Sequence, residues 1–237
     1  ARTGIEPERI FSVAVMPCVA KKFESTRPEM AADGRPDIDA VLTTRELAAM
    51  IRMRGIDLAS LEPEDPDHPF GERTSAGKLF GATGGVMEAA LRTAHFMLTG
   101  QELDPPKISA IRGLSGIKET TVKIGELELN VAVVSGLGNA RQVLDSVRSG
   151  ERKLHFVEVM SCPGGCIAGG GQPYQTDPDR LRARMAALYE IDRQAIVRAS
   201  HRNEEVARLY REFLGEPLGE KSHELLHTHY HHREVMQ

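Results

Sequence analysis

The stretch that decides the fold runs from residue 156 to 166 and reads Phe156-Val157-Glu158-Val159-Met160-Ser161-Cys162-Pro163-Gly164-Gly165-Cys166. Its first five residues are mostly apolar and partly β-branched, which predicts a strand that ends where the loop begins. The strand delivers two thiols on a loop whose glycines permit positive φ and close approach of the backbone. Amides on such a loop point at the sulfurs of a compact anionic cluster. The pattern predicts a loop built around a large inorganic ligand rather than a flexible loop with incidental cysteines.

A third cysteine follows a second predicted strand. Residues 11–16 are mostly apolar and end at Pro17, which predicts a buried strand with Cys18 just past its end. Taken alone, Cys18 is more typical of a small core residue. Lys21 and Lys22 follow it closely and place positive charge where thiolates or an anionic cofactor need it. Because ligands of α/β sheets lie beyond the carboxyl ends of strands, we expect the two cysteine loops to converge.

The remaining helices, strands and loops are predicted from hydrophobic periodicity and from the residues that begin or end helices and turns. Thr43 and Thr44 offer N-caps for a helix that ends at Gly55. Other helices are predicted over residues 86–98, 136–150 (after a glycine-led turn), 181–189 and 204–214, with a short turn near 223–227. Strands are predicted over residues 108–114, 121–124 and 127–134. Prolines and acidic residues over 58–74 predict a surface loop.

These elements predict an α/β fold with mixed, mostly parallel sheets flanked by helices and with the active-site loops at the carboxyl ends of strands. We expect an α/β core at about residues 10–178 and a helical C-terminal tail at about 179–237. The length of 237 residues and the 41% hydrophobic content are enough to bury a sizeable core.

Composition excludes several classes of function. The net charge of -4 and the aromatic content of 5% provide neither a basic stripe nor stacking platforms, so we expect no nucleic-acid partner. No apolar run approaches the roughly 20 residues of a membrane helix, so we expect no membrane insertion. Three cysteines are an odd number for a disulfide framework and favour metal ligation or redox chemistry.

Three segments, in order along the chain, resemble signature motifs of the di-iron, FeFe-type hydrogenases. They are Met-Pro-Cys-Val-Ala-Lys-Lys-Phe-Glu at residues 16–24, Phe-Gly-Ala-Thr-Gly-Gly-Val-Met-Glu-Ala-Ala-Leu-Arg at 80–92, and the cysteine loop with its glycine-rich extension at 161–173. The match spans nearly the whole chain, including the tail at 223–227. The resemblance implies the C-terminal part of the catalytic, H-cluster domain of a hydrogenase large subunit, which reversibly oxidises hydrogen and reduces protons.

The resemblance also implies a cofactor and roles for individual residues. The cofactor is the H-cluster, a 4Fe-4S cubane linked to a di-iron subcluster with carbon monoxide, cyanide and dithiolate ligands. On this pattern Cys18 and Cys162 match cubane ligands, Cys166 matches the bridging thiolate, and Lys21 matches the lysine that donates to a cyanide ligand. The other catalytic-site matches are the packing methionines Met16 and Met160, Phe80 in an apolar wall, and Glu24 for polar organisation or proton movement.

The chain departs from the family pattern in one respect. The family's Thr-Ser-Cys-Cys-Pro type motif, which supplies another cubane cysteine, is absent. We therefore expect an upstream hydrogenase segment or subunit to complete the site, with ferredoxin or NAD(P)H-linked flavoprotein subunits as electron partners. A cytoplasmic location is expected, with the periplasm as the alternative. The histidines at 227–232 have spacing that suits zinc or nickel, but they are interpreted as a solvated terminus without a metal.

Two other functions remain open from the sequence. One is a hydrogenase-like iron-sulfur assembly or scaffold protein that holds only cubanes. The other is a sensory module that binds hydrogen and signals through a partner domain. A purely structural subunit is disfavoured because the cysteine motifs are ligand motifs.

Overall fold

The computed structural model describes residues 4–67, 72–103, 105–174 and 177–231. They fall into two units. Unit 1 contains the described residues up to 65, residues 171–173 and those from 208 onward, and unit 2 contains the others. No helix among the described residues is both long and apolar enough to cross a membrane.

Unit 1 is built on two parallel strands, β1 (Val13–Met16) and β4 (Ala40–Thr43), in which Met16 pairs with Thr43. Between them lie helix α1 (Ala20–Glu24) and the short antiparallel pair β2 (Ala31–Ala32) and β3 (Arg35–Pro36). Strand β4 leads directly into helix α2 (Thr44–Met53). The predicted strand and helix are both present, and Cys18 lies between β1 and α1.

Helix α2 begins with the N-cap that its sequence predicts. Thr43 Oγ1 accepts a hydrogen bond from the Glu46 amide at 3.2 Å, and the Glu46 carboxylate accepts one from the Thr43 amide at 2.8 Å. This reciprocal capping box satisfies two amides that the first turn leaves without partners. The helix predicted from Thr43 to Gly55 is confirmed.

The prediction that residues 11–16 form a buried strand is wrong in its burial. Val13 is 49% exposed and Val15 is 45% exposed. Among the described residues β1 pairs only with β4, and Val13 and Val15, which alternate along the strand, share a face of this small sheet that is open to solvent.

Unit 2 is built on a three-stranded sheet in the order β5 (Ile117–Ile124), β6 (Leu127–Ser135), β7 (Phe156–Met160). The pair β5 and β6 is antiparallel across the predicted Gly125-Glu126 turn, whereas β6 and β7 are parallel and connected through helix α5 (Leu137–Arg148). Helices α3 (Ser75–Leu79), α4 (Gly85–Thr99) and α6 (Pro178–Gln194) complete the unit. Its main core joins Met87 and Leu91 of α4 to Val131 and Val133 of β6.

The strand predicted over residues 108–114 is wrong, because a 3-10 helix (Pro105–Ile111) occupies most of this segment. Ile108 and Ile111 are both 0% exposed and pack into the core beneath α4. Residues three apart lie on one face of a 3-10 helix, so two isoleucines at this spacing are buried without a strand.

The helices predicted over 181–189 and 204–214 are present. The first lies within α6, and the second is α7 (Glu204–Leu209) followed by a π-helical turn (Tyr210–Leu214). Helix α8 (Glu220–Leu226) lies where a turn was predicted. The described part of the predicted loop at 58–74 is irregular apart from the 3-10 turn Leu58–Ser60, and its last residue, Thr74, is the N-cap of α3. Residues 68–71 lie outside the described residues.

A buried ionic network stabilises unit 2 around Asp192 of α6. Oδ1 of Asp192 accepts hydrogen bonds from Ser75 Oγ at 2.6 Å and Arg92 Nη1 at 2.8 Å. Its Oδ2 accepts from Nη2 of Arg92 and of Arg198, each at 2.7 Å. Arg92 also donates to Glu88, one turn earlier on α4. Helices α3, α4 and α6 are therefore joined by charge-assisted hydrogen bonds, which are the strong class.

Candidate metal centre

The cysteine loop of unit 2 follows β7 directly. The chain turns after Cys162, whose carbonyl accepts a hydrogen bond from the Gly165 amide at 3.0 Å. Gly164 and Gly165 both have positive φ, +86° and +95°, and Cys166 then begins a single 3-10 turn, Cys166–Ala168. Cys162 is half-buried and Cys166 is exposed, and neither thiol is in a disulfide. The two thiols are therefore presented by a tight loop at the carboxyl end of a strand, as predicted.

Segment 81–83 holds this loop on both sides of Cys166. The Thr83 amide donates to Gly164 O at 3.1 Å, and the Ile167 amide donates to Gly81 O at 2.9 Å. The contact is close, since a Cβ added at Gly165 would lie 2.7 Å from Thr83 N. The conformation of the cysteine loop is therefore set by the segment that precedes α4.

Gly165→Ala is expected to disrupt the loop. Its φ of +95° and ψ of -162° lie in a region that is essentially restricted to glycine, and the added Cβ would also lie 2.9 Å from Met160 Sδ. We expect a loss of about 1–3 kcal/mol in unfolding free energy and a large loss of bound iron. Gly138→Ala in α5, where a Cβ meets no atom within 4 Å, is the matched control: it should leave the iron content unchanged and should not lower the unfolding free energy. Chemical denaturation and iron analysis measure both; an unchanged iron content in Gly165→Ala would contradict this account of the loop.

Cys18 lies in unit 1, half-buried at the end of β1. Gly171 packs on its backbone: the Gly171 amide donates to Pro17 O at 3.0 Å, and a Cβ at Gly171 would lie 3.0 Å from Cys18 N. This close approach explains why the glycine-rich extension of the cysteine motif needs a residue without a side chain at this position.

A cavity of about 310 Å³ opens beside Cys18 in unit 1. Its lining includes Lys21 and Glu24, which form an ion pair on α1, and Arg27, whose guanidinium lies 4.4 Å from the centre of the Tyr230 ring. Lys22, the second lysine of the motif, donates instead to Val41 O at 2.7 Å and to the Glu46 carboxylate. Only the first of the two lysines therefore faces the cavity beside Cys18.

The predicted site residues are divided between the two units. Unit 1 contains Met16, Cys18, Lys21 and Glu24, and unit 2 contains Phe80, Met160, Cys162 and Cys166. Phe80 is 44% exposed at the end of α3. Across the described parts of the chain, no three His, Cys, Asp or Glu side chains form a group able to hold a single metal ion. His232 of the predicted solvated terminus lies outside the described residues.

Two charged residues near the cysteine loop escaped sequence analysis. Lys118 on β5 and Glu158 on β7 are each 7% exposed. Burial lowers the pKa of Lys118 to about 8, although the nearby Glu158 carboxylate favours its charged form. The sequence signal for Glu158 is a charged residue inside the apolar strand β7, whereas Lys118 lies in a strand with several charged and polar residues, which is typical of a solvated face.

Comparison with known proteins identifies the family. Residues 1–170 match the family model of the iron only hydrogenase large subunit, C-terminal domain, and residues 178–233 match that of the iron hydrogenase small subunit. The chain belongs to the iron-only hydrogenase family, as its motifs predicted.

Individual relatives agree with the family. The NADP-reducing hydrogenase subunit of Solidesulfovibrio fructosivorans is 50% identical over 232 residues, which are 98% of this chain and 40% of that protein. A solved structure of apo FeFe-hydrogenase from Chlamydomonas reinhardtii, in a single-residue variant, matches with a TM-score of 0.82 and 41% identity over 97% of this chain and 64% of that one. The predicted α/β fold class is confirmed. A cytosolic Fe-S cluster assembly factor of Xenopus tropicalis is 29% identical over 233 residues, 96% of this chain and 49% of that protein.

The residues present fit an iron-sulfur cofactor. Thiolates are the ligands that iron-sulfur clusters require, and unit 2 presents two of them on a loop with no side chain at Gly164 or Gly165. Next to this loop, the buried Thr83 Oγ1 has no hydrogen-bond partner among the described residues. A buried hydroxyl without a partner is costly, and a neighbouring inorganic sulfide or ordered water would accept from it.

Proposed function

We propose that this chain is the C-terminal part of the catalytic domain of an iron-only hydrogenase, and that it acts in reversible hydrogen oxidation and proton reduction once an upstream segment completes the site. The observation that carries the proposal is the Cys162–Cys166 loop at the carboxyl end of β7, which is hydrogen-bonded to segment 81–83. Membership of the hydrogenase family supports it.

The proposed cofactor is the H-cluster, a 4Fe-4S cubane linked to a di-iron subcluster with carbon monoxide, cyanide and dithiolate ligands. Cys18 and Cys162 would hold the cubane and Cys166 would bridge the two parts. When bound, the group supplies an open iron position for hydrogen and an electron path through the cubane. The resemblance of segments 16–24 and 161–173 to hydrogenase motifs supports the assignment of the three cysteines to one cofactor.

The other site residues have roles that follow from their chemistry. The methionines Met16 and Met160 and the ring of Phe80 would exclude water from the cofactor, because their side chains are apolar and adaptable in shape. Lys21 Nζ would orient a cyanide ligand by a charge-assisted hydrogen bond. Glu24 is the ion-pair partner of Lys21 and lines the cavity. Its carboxylate oxygen Oε2 would accept and release a proton during proton transfer.

Lys21→Met is expected to lower the occupancy of the di-iron subcluster. A hydrogen bond from a charged donor has a strength that corresponds to a roughly tenfold to hundredfold change in affinity. Lys21→Arg keeps the charge and should retain more of the cofactor. Lys78→Met, an exposed lysine on α3, is the matched control. Infrared band intensity per protein measures the occupancy, and equal intensities in Lys21→Met and the control would remove Lys21 from the site.

The partners and the division of the chain belong to the same proposal. We infer one catalytic domain with an α/β core at about residues 10–178 and a helical tail from about 179, which the limits of the two family models support. Homologues include a hydrogenase subunit and a small-subunit family, so a partnered hydrogenase is supported. Ferredoxin or NAD(P)H-linked flavoprotein subunits are the proposed electron partners in the cytoplasm, in keeping with a relative described as NADP-reducing.

Isotope exchange between deuterium gas and water tests the proposed activity without an electron partner. The protein is purified anaerobically from its native host with whatever polypeptides accompany it. Formation of HD at a rate well above that of the Cys166→Ala variant is the expected result. No exchange in a sample whose host makes active hydrogenase would contradict the proposal and favour an iron-sulfur assembly protein, a class to which the chain is 29% identical in one relative.

A further inference from the structure

Lys118 and Glu158 are charged and buried, yet neither is among the proposed ligands of the cofactor. Each is 7% exposed within unit 2. Burial of a charge is costly unless hydrogen bonds of good geometry compensate for the lost water. The hydrogen-bond partners of these two side chains therefore indicate which part of the structure the buried charges stabilise.

The strand register places both side chains on one face of the sheet. Lys118 of β5 pairs with Val133 of β6, and Val133 pairs with Glu158 of β7. Directly paired residues point to the same face of a sheet. Val133 belongs to the core that packs against α4. A cation and a carboxylate therefore flank one core valine and face the beginning of α4.

Both charged groups end on the same peptide unit. Lys118 Nζ donates to Thr83 O at 3.2 Å, and Glu158 Oε1 accepts from Gly84 N at 2.6 Å. This carbonyl and this amide belong to the single peptide bond between Thr83 and Gly84, whose planarity ties their orientations together.

Further contacts restrict that peptide unit. Glu158 Oε2 accepts from the Met87 amide at 2.7 Å, so the carboxylate also caps the first turn of α4. Lys118 Nζ donates a second hydrogen bond to Gly113 O at 2.8 Å. Gly84 has a φ of +95°, and a Cβ at this position would lie 2.3 Å from the carbonyl oxygen of Ile111.

The same peptide segment holds the cysteine loop. The Thr83 amide donates to Gly164 O at 3.1 Å, midway between Cys162 and Cys166. A rotation of the Thr83-Gly84 peptide would change the direction of neighbouring groups and weaken this hydrogen bond. The position of the loop is therefore coupled to the two buried charges.

We propose that Lys118 and Glu158 are positioning residues that clamp the Thr83-Gly84 peptide and thereby hold the Cys162–Cys166 loop in its ligating conformation. The proposal rests on the proposed function for what the cysteines bind. The clamp itself is a property of the polypeptide, so it is testable in the metal-free chain.

Hydrogen–deuterium exchange and cysteine alkylation of the metal-free, full-length chain test the clamp. In Lys118→Met and in Glu158→Gln, amide exchange in residues 161–168 should rise roughly tenfold or more, because a hydrogen bond to a charged group is lost. Cys162 should react with iodoacetamide faster relative to Cys18, which lies in the other unit and serves as an internal reference. Lys123→Met and Glu128→Gln, exposed charges on β5 and β6, are the matched controls and should change neither readout.

The pattern of the changes separates positioning from general stabilisation. Because both residues hold one peptide unit, the double variant Lys118→Met/Glu158→Gln should increase loop exchange by less than the product of the single effects. Exchange that rises equally throughout β5, β6 and β7, or a loop that is unchanged, would overturn the clamp. If Lys118→Met does not fold, Glu158→Asp serves, since it keeps the charge but shortens the reach, and it must give the same local increase. Absence of a cofactor in the native protein would end the proposed function without altering this result.

Discussion

Cys166→Ala is expected to abolish hydrogen turnover while leaving the fold intact. The Cys166 side chain is exposed at the start of a 3-10 turn, so its removal leaves no buried cavity. Surface substitutions of this kind usually change the free energy of unfolding by less than about 0.5 kcal/mol. The thiolate is the proposed bridge between the cubane and the di-iron subcluster, so its loss should reduce activity to background.

Thermal unfolding and deuterium exchange activity of the same Cys166→Ala sample measure the two effects separately. Gly138→Ala, with open space around the added methyl group, controls for handling under anaerobic conditions. Activity above a few per cent of the native level in a folded Cys166→Ala protein would exclude the bridging role. Unfolding of the variant would instead show that the thiol has a structural function.

Asp192→Asn is expected to cost about 3–5 kcal/mol of unfolding free energy, the range for removing one partner of a buried ion pair. Its side chain is 1% exposed, and the substitution leaves the guanidinium groups of Arg92 and Arg198 without their shared carboxylate. Asp179→Asn on the same helix is the matched control. Asp179 is 88% exposed and its ion pair with Arg182 should contribute at most about 1 kcal/mol.

The effect of Asp192→Asn should depend on pH in a defined direction. Burial raises the pKa of the Asp192 carboxyl, but hydrogen bonds from its guanidinium partners and Ser75 outweigh this and hold the pKa well below its usual range. A carboxyl group whose pKa is lowered in the folded state stabilises the fold at pH values above the pKa of the same group in the unfolded state, about 3.9. The difference between native and variant should be complete at neutral pH and shrink as the pH falls below about 4. Urea denaturation across that range measures it, and a difference that grows on acidification would contradict the network.

Local patterns predicted most of the fold. The capping residue Thr43 and the glycines at 55 and 100 limit their helices through backbone geometry alone, so α2 and α4 are readable from sequence. The strand prediction at 108–114 is wrong because the β-branched Ile108 and Ile111 favour a strand by composition, whereas their spacing of three residues suits one face of a 3-10 helix. Packing beneath α4 decides between these, and that information lies in distant parts of the chain.

The candidate site likewise contains residues that local sequence predicts and residues that only the tertiary structure brings together. Cysteines 162 and 166 are recognisable because a strand, two glycines and two thiols are contiguous in the sequence. Lys118 and Glu158 are not, since their meeting at one peptide depends on the register of three strands and on the position of α4. The exposure of Val13 and Val15 also depends on what packs against their face of the small sheet, and the sequence of β1 does not contain that information.

An anaerobic infrared spectrum of the protein purified from its native host tests the central claim most directly. Iron-bound carbon monoxide and cyanide absorb in a region where polypeptides do not. The proposed hydrogenase function requires both sets of bands, and their loss in Cys166→Ala. A native sample that contains iron and sulfide but lacks these bands, from a host with active hydrogenase, would contradict the account and indicate an iron-sulfur assembly protein.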